Sequence, residues 1–267
     1  FLRDSYNKYF NRYKEKYSEE MADELAEDRM LEELKSGIQT IRYQLSTLHT
    51  SNGQSPFSTI YLEIEEGHEY EREMALICEE MINQRLEGMK NHKGQQIGEE
   101  FPKLVYLLDE HNCLEGGKYD YITKLAAKCN TKRLVPDYQS AKIMRRNYEG
   151  STFPPMGCRS HLSPWKDENG NHKWYGRFNQ GVISLNLVQV ALTANKDMDK
   201  FWEILDERLE LCKEALMVRH NLLLGTTSDV SPIHWQHGGI ARLKKGEKID
   251  SLLKDGYSTL SLGYVGV

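Results

Sequence analysis

The sequence predicts an α/β fold built from parallel β-α units. Strand-like apolar runs alternate along the chain with segments whose apolar residues recur at helical spacing. That alternation is the pattern of strands joined by crossover helices, either in an open sheet or in a barrel with its chemistry at the strand C-terminal ends. With 267 residues, 39% of them hydrophobic and 28% charged, the chain can bury a sizeable core in one large or two small domains.

The elements follow in order. Tyr6, Tyr9, Phe10, Tyr13 and Tyr17 recur at i, i+3, i+4, i+7 and i+11, one face of a helix. A second helix is expected near Ser18 to Lys35, with Met21, Leu25 and Leu34 inward and Ser18 at its start. Residues 1–36 hold 7 basic and 10 acidic residues, read as two solvated helical faces and set apart as a segment of their own. After Gly37, the spacing of Ile38, Ile41, Leu45 and Leu48 predicts another helical stretch, then a polar loop over 47–56 with a turn-forming Asn52-Gly53. Phe57 to Ile64 is rich in strand formers. His68 to Met89 forms the longest periodic helix, and Leu104 to Leu108 a buried strand closed by the polar burst Asp109-Glu110-His111-Asn112-Cys113.

The second half repeats this grammar. A helix near Tyr119 to Cys129 leads to the short run Arg133-Leu134-Val135, and Tyr138 to Tyr148 reads as helix. The loop from Phe153 to Ser160 interrupts the alternation with two prolines and a glycine. Gly181 to Leu187 is a strand, Asp197 to Asn221 a long helix, Val230 to Trp235 a short strand, Ile249 to Lys254 a helical turn and Thr259 to Val265 a last strand.

Charge and cysteine usage narrow the function. The net charge is −5, so no global basic field draws the chain to nucleic acid or to an anionic membrane, and any phosphate site must be local. No run reaches the roughly 18 apolar residues of a spanning helix, and Phe1-Leu2-Arg3-Asp4 has no signal-peptide character. A cytoplasmic protein is expected, and the apolar ending Tyr264-Val265-Gly266-Val267 reads as a piece of something longer. Cys78, Cys113, Cys129, Cys158 and Cys212 are odd in number and contain no CxxC pair, which disfavours a disulfide framework or a self-contained zinc site.

Four groups have chemical potential. Cys113-Leu114-Glu115-Gly116-Gly117-Lys118-Tyr119 lacks the spacing and the hydroxyl ligand of a phosphate loop, and reads as a turn. Asp109, Glu110, His111 and Cys113 offer metal ligands or acid/base groups after a strand, but in so short a window they cannot all converge. His234 and His237 are spaced for a helix in a stretch that reads as extended, while Gly238-Gly239 permits close backbone approach to a ligand. Cys158 differs from the cysteines set in helical periodicity. It sits on a loop stiffened by Pro154 and Pro155 and turned by Gly157, beside Arg159, as a presented thiol requires.

Five ordered segments carry a family resemblance. His49-Thr50-Ser51-Asn52-Gly53-Gln54-Ser55-Pro56-Phe57, Phe101-Pro102-Lys103-Leu104, Met156-Gly157-Cys158-Arg159-Ser160, Gly176-Arg177-Phe178-Asn179-Gln180-Gly181 and Trp235-Gln236-His237-Gly238-Gly239-Ile240-Ala241-Arg242-Leu243 resemble the catalytic core of the anaerobic (class III) ribonucleoside-triphosphate reductases. The likeness runs from about Gly37 to Val267. It implies a ten-stranded α/β barrel, shared with glycyl-radical enzymes, whose finger loop carries a cysteine to the centre. Residues 37–267 would form the central part of that barrel, with residues 1–36 packed on it.

The resemblance also implies roles. Cys158 would be the transient thiyl radical that abstracts the ribose 3′-hydrogen, and Asn179 the active-site asparagine. Ser160, Gly157, Arg159, His49, Ser51 and Asn52 would line the substrate cavity. A ribonucleoside triphosphate is the implied substrate, formate the reductant, and ATP and deoxynucleotides the effectors. A second copy of the chain and an iron–sulfur, S-adenosylmethionine-dependent activase are the implied partners. The family's glycyl-radical segment, its four-cysteine zinc site, its second active-site cysteine and its nucleotide-binding cone are not recognisable in this sequence. No cofactor or metal is therefore expected on this segment, and the chain should not turn over by itself. Two other readings stand beside this one: another glycyl-radical enzyme of formate-lyase type, or a non-catalytic interaction module.

Overall fold

The structure is a computed structural model that describes residues 1–49, 51–55, 57–157 and 160–267. It divides into two compact units, Phe1–Gly157 and Cys158–Val267.

The first unit opens with α1 (Leu2–Lys14) and α2 (Glu19–Thr47). Ser18 caps α2, accepting from the Met21 N–H, which satisfies one of the donors left over at a helix start. Ala22, Ala26, Met30, Leu34, Ile38 and Arg42 are buried at i, i+4 spacing along α2. The helix does not break at Gly37, contrary to the two helical stretches expected. A glycine costs a helix about 1 kcal/mol relative to alanine, less than the burial of the stripe that continues through Leu34 and Ile38. Of the aromatic face on α1, only Tyr9 is buried. Its hydroxyl and that of Tyr6 donate to Glu33 and Asp23 of α2.

Three parallel strands form the sheet of this unit, in the order β1 (Thr59–Leu62), β4 (Lys103–Leu108), β5 (Asp137–Ser140). Leu62 pairs with Tyr106, and Tyr106 with Tyr138. Central β4 buries Leu104, Val105, Tyr106 and Leu107, as a strand covered on both faces must. Against it pack Cys78, Met81 and Ile82 of α3 (Glu71–Glu87) and Ile122, Ala126 and Cys129 of α5 (Asp120–Arg133). Gly88 ends α3 at φ 80°, and a Cβ there would lie 2.5 Å from the Ile97 carbonyl. The chain then makes an unforeseen hairpin, β2 (Met89–Lys90) with β3 (Gln96–Ile97), its turn held by Asn91 Oδ1 accepting from the Lys93 and Gln95 amides.

Residues 133–148 differ from expectation. Arg133 still belongs to α5, Leu134 is its left-handed cap at φ 60°, and the strand falls on Asp137–Ser140, ahead of α6 (Ala141–Asn147). Asp137-Tyr138-Gln139-Ser140 has no apolar alternation, and among the described residues this strand pairs only with β4, so periodicity merges it into the helix that follows.

A buried ion cluster ties α2, α3 and the segment before β4 together. The Glu99 carboxylate receives Arg42, and Arg85 lies 3.3 Å away. Arg42 also donates to Gln84 at 2.9 Å, and Arg85 to the Glu99 and Pro102 carbonyls. Burial lowers the Arg85 pKa, with Glu99 opposing.

The second unit pairs β6 (Asn179–Asn186) with β7 (Thr259–Val265) in parallel. The crossover contains α7 (Leu187–Ala194) and α8 (Met198–Leu223), which join β6 in a cluster of Leu185, Val190 and Cys212. Helix α7 is legible only as a continuation of the apolar strand before it; Asn186 separates them by capping the Gln189 amide at 3.1 Å. The expected strand over Val230–Trp235 is instead a 3-10 turn, Ser228–Val230, followed by α9 (Pro232–Trp235). Pro232 supplies a helical φ without wasting an N–H, and the Ser231 carbonyl accepts from His234 and Trp235. Among the described residues, no helix is long and apolar enough to cross a membrane.

Removing the Glu99 carboxylate leaves two buried arginines with no counter-charge from Glu99. Glu99→Ala is expected to lower the unfolding free energy by about 3–5 kcal/mol, measured from urea midpoints at constant slope. A loss under about 1 kcal/mol would mean that the arginines find other partners.

Candidate active site

The segment Arg177-Phe178-Asn179-Gln180 organises the second unit, each side chain in its own way. Buried Arg177 donates to four carbonyls, those of Tyr257 at 2.8 Å, Lys173 at 3.2 Å, Ser163 at 2.7 Å and Gly256 at 2.6 Å. Burial lowers its pKa, and the carbonyl dipoles replace the water it has lost. Phe178 meets the Trp235 ring edge-on at 5.2 Å, joining two of the segments that carry the resemblance. Gln180 donates to the Leu253 carbonyl and to Ser258, and takes the His220 ring of α8 on its Oε1 at 2.8 Å.

Asn179 begins β6 at a bulge. It pairs with Thr259, while Gly181 pairs with Leu260, so Gln180 is left out of the ladder and turns to the contacts above. Asn179 Oδ1 accepts from the Gly181 amide at 2.8 Å. Its Nδ2 donates to Ser160 at 3.1 Å and to Ser261, and the two serine oxygens are 2.9 Å apart. The structure thus brings together Asn179 and Ser160, two residues to which the resemblance gives site roles. Ser261, Arg177, Gln180 and His220 were missed. Ser261 lies in a strand whose only sequence signal was apolar alternation, and the other three act on chain that is remote in sequence.

In the first unit, Gly157 adopts φ 53°, and a Cβ there would lie 3.2 Å from the Phe57 ring. Phe57 meets Phe101 edge-on at 4.9 Å, so three further segments of the resemblance converge here. His49, Ser51 and Asn52 are exposed in the turn after α2, with His49 Nδ1 2.9 Å from the Thr47 carbonyl. Cys158 and Arg159 lie outside the described residues.

The remaining candidates have structural occupations. Asp109 caps α4 (Glu110–Cys113) and pairs with Arg145 at 2.6 Å. Burial works against its ionisation, but Arg145 and the Glu110 amide outweigh it and hold its pKa down. His111 faces the Tyr119 ring, and Cys113 is exposed. The Gly116 amide donates to Asp120 at 2.9 Å, so this turn spends its donors on its own chain. Gly238 and Gly239 do admit a close approach, but of the chain's own atoms: Cβ atoms there would lie 2.8 Å from Arg242 and 2.9 Å from the Ile233 carbonyl. His234 Nδ1 is 2.6 Å from Ser231 Oγ. No group of three or more His, Cys, Asp or Glu among the described residues could hold a metal ion.

The family model of the anaerobic ribonucleoside-triphosphate reductases matches residues 4–267. The chain belongs to this family. It is 38% identical over 245 residues to the anaerobic ribonucleoside-triphosphate reductase of Escherichia coli K12, covering 90% of this chain and 33% of that protein. To the enzyme of the same name from Enterobacteria phage T4 it is 39% identical over 245 residues, covering 88% and 39%. The chain thus spans little more than a third of the length of the curated relatives it matches. A Thermotoga maritima anaerobic ribonucleotide reductase, solved with glycerol in the active site, aligns with a TM-score of 0.50 and 18% identity over 88% of this chain and 37% of that one. That likeness is one of fold, and it agrees with the α/β class and the parallel strands of this reductase segment.

Two outcomes are expected. Arg177→Ala orphans four carbonyls, one of them buried and three half-buried, and should destabilise the second unit by about 3–5 kcal/mol, read as an earlier denaturant midpoint; an unchanged midpoint would mean that water serves them equally well. Burial pushes the Cys78 thiol up to about 12 and raises that of Cys129, so both stay protonated at pH 8. Iodoacetamide at pH 8 should label exposed Cys113 and spare these two until the chain is unfolded, as peptide mass spectrometry would register. Labelling of Cys78 at the rate of Cys113 would contradict its burial.

Proposed function

We propose that this chain is the central part of the catalytic body of an anaerobic ribonucleoside-triphosphate reductase, residues 37–267 contributing to a ten-stranded barrel on which residues 1–36 pack. In the complete enzyme it reduces ribonucleoside triphosphates to 2′-deoxyribonucleoside triphosphates, supplying DNA precursors in the cytoplasm. One observation carries the reading at the site. Asn179, to which the family likeness gives the active-site role, is hydrogen-bonded to Ser160, two residues along the chain from Cys158.

In this reading the Cys158 thiyl radical takes the 3′-hydrogen, forming an S–H bond and a carbon radical at C3′. The 2′-hydroxyl then leaves as water, formate supplies the two electrons and is oxidised to carbon dioxide, and the Cys158 S–H returns its hydrogen atom to C3′, restoring the thiyl. The balance is ribonucleotide plus formic acid giving deoxyribonucleotide, carbon dioxide and water. The cluster that Asn179 forms with Ser160 holds an oxygen of the ribose or of formate, while His49, Ser51, Asn52, Gly157 and Arg159 border the substrate. A sulfur radical acts only within contact distance of its target C–H and away from competing donors, which a constrained loop provides.

The glycyl radical of the complete enzyme supplies the oxidising equivalent that generates the thiyl. The described residues include no group of three or more His, Cys, Asp or Glu that could hold the family's zinc. The complete enzyme works as a homodimer with its radical-generating activase, and ATP and deoxynucleotides are its effectors.

Cys158→Ala in the full-length enzyme tests the assignment. Anaerobic assay with activase, nucleotide and formate should give no deoxynucleotide, while the glycyl-radical signal in electron paramagnetic resonance is retained. Turnover by this variant would move the radical role to another residue.

A further inference from the structure

We propose that Ser261 is a positioning residue of this active site: it holds the Asn179 amide and completes a donor cluster that offers one hydroxyl hydrogen to an acceptor oxygen of the bound molecule. The proposal rests on the reductase reading above and extends it to a residue on a different strand.

The amide orientation is dictated by the backbone. An N–H only donates, so the atom 2.8 Å from the Gly181 amide is Oδ1, and the other is Nδ2. Nδ2 cannot accept, and it faces both hydroxyls, so its two hydrogens go to Ser160 and Ser261. The two hydroxyls are themselves 2.9 Å apart and share one hydrogen bond. Two amide and two hydroxyl hydrogens thus serve three contacts. One hydroxyl hydrogen is left over, and it must point out of the triangle.

A second observation marks the same patch. Thr259 pairs directly with Asn179 and lies two residues before Ser261, hence on the same face of β7. It is only 9% exposed, and its hydroxyl has no partner among the described residues. A buried hydroxyl beside a cluster with a spare hydrogen points to an oxygen ligand, either the carboxylate of formate or a ribose hydroxyl. Amide and hydroxyl groups do not titrate near neutrality, so this recognition is independent of pH.

The test compares Ser261→Thr with Ser261→Val in the full-length reductase. The two side chains are nearly equal in size, and only threonine keeps the hydroxyl. KM and kcat are measured anaerobically for nucleotide and for formate between pH 6 and 8, with melting temperature followed in parallel. Valine should raise one KM about tenfold, the scale of one hydrogen bond, by the same factor at every pH, while threonine stays within about threefold of wild type. A shift in the formate KM identifies the carboxylate as the ligand, and a shift in the nucleotide KM the ribose hydroxyl. Equal KM values in the two variants would overturn the assignment, as would equal losses of kcat that track melting temperature. Should valine prevent folding, Ser261→Ala takes its place against threonine under the same criteria. A wild-type enzyme that reduces no nucleotide would instead remove the functional reading beneath the proposal.

Discussion

The second unit depends on one buried cation, the Arg177 guanidinium, and on its having only backbone carbonyls for partners. Its acceptors lie at Ser163, Lys173, Gly256 and Tyr257, so a single side chain joins the loop after Ser160, the approach to β6 and the approach to β7. A carboxylate partner would have neutralised the charge but tied down one point only. Carbonyls spread over three stretches of chain fix all of them relative to one another, and the register in which Asn179 meets Thr259 and Ser261 follows. Tyr257 adds a return connection, its hydroxyl donating to the Gly176 carbonyl at 2.9 Å.

The first unit solves a related problem with a different device. Arg42 and Arg85 converge on Glu99 where α2 and α3 meet the segment leading to β4, and Arg85 also donates to two carbonyls. In both units a buried arginine sits at the entry of a strand, where irregular backbone exposes carbonyls that no ladder satisfies. Guanidinium, with five donors in a rigid fork, suits that task better than the single point charge of lysine. Arg177 lies inside a segment of the family resemblance, so the likeness there marks scaffolding as well as chemistry.

Legibility in the sequence followed local signal. The strand Thr259–Val265 and the capped start of α2 at Ser18 stood out because alternation and capping are encoded within a few residues. Asp137–Ser140 did not, since a strand of polar residues has no period to show, and α7 was hidden because its apolar residues follow directly on those of the strand before it. At the site, Asn179 and Ser160 were legible through short motifs. Ser261 was not, because its meaning comes from a parallel pairing that brings it beside a residue 82 positions away. Cys158, legible as a presented thiol, lies outside the described residues.

Under the proposed function, the chemistry of the Asn179 cluster suits radical catalysis for a reason separate from geometry. A group beside a thiyl radical must bind oxygen without surrendering a hydrogen atom, or the radical is lost to the protein. Alcohol O–H and amide N–H bonds are stronger than S–H, so serine and asparagine can donate hydrogen bonds next to a sulfur radical without reducing it. A phenol would be a poor neighbour, because it yields a hydrogen atom more readily. The Tyr257 phenol is committed to the Gly176 carbonyl and to Lys173, and its ring packs edge-on against Trp165. Under the proposed function, the oxidisable side chain is thus spent on scaffolding, and the oxygen-binding work falls to groups that a sulfur radical leaves intact.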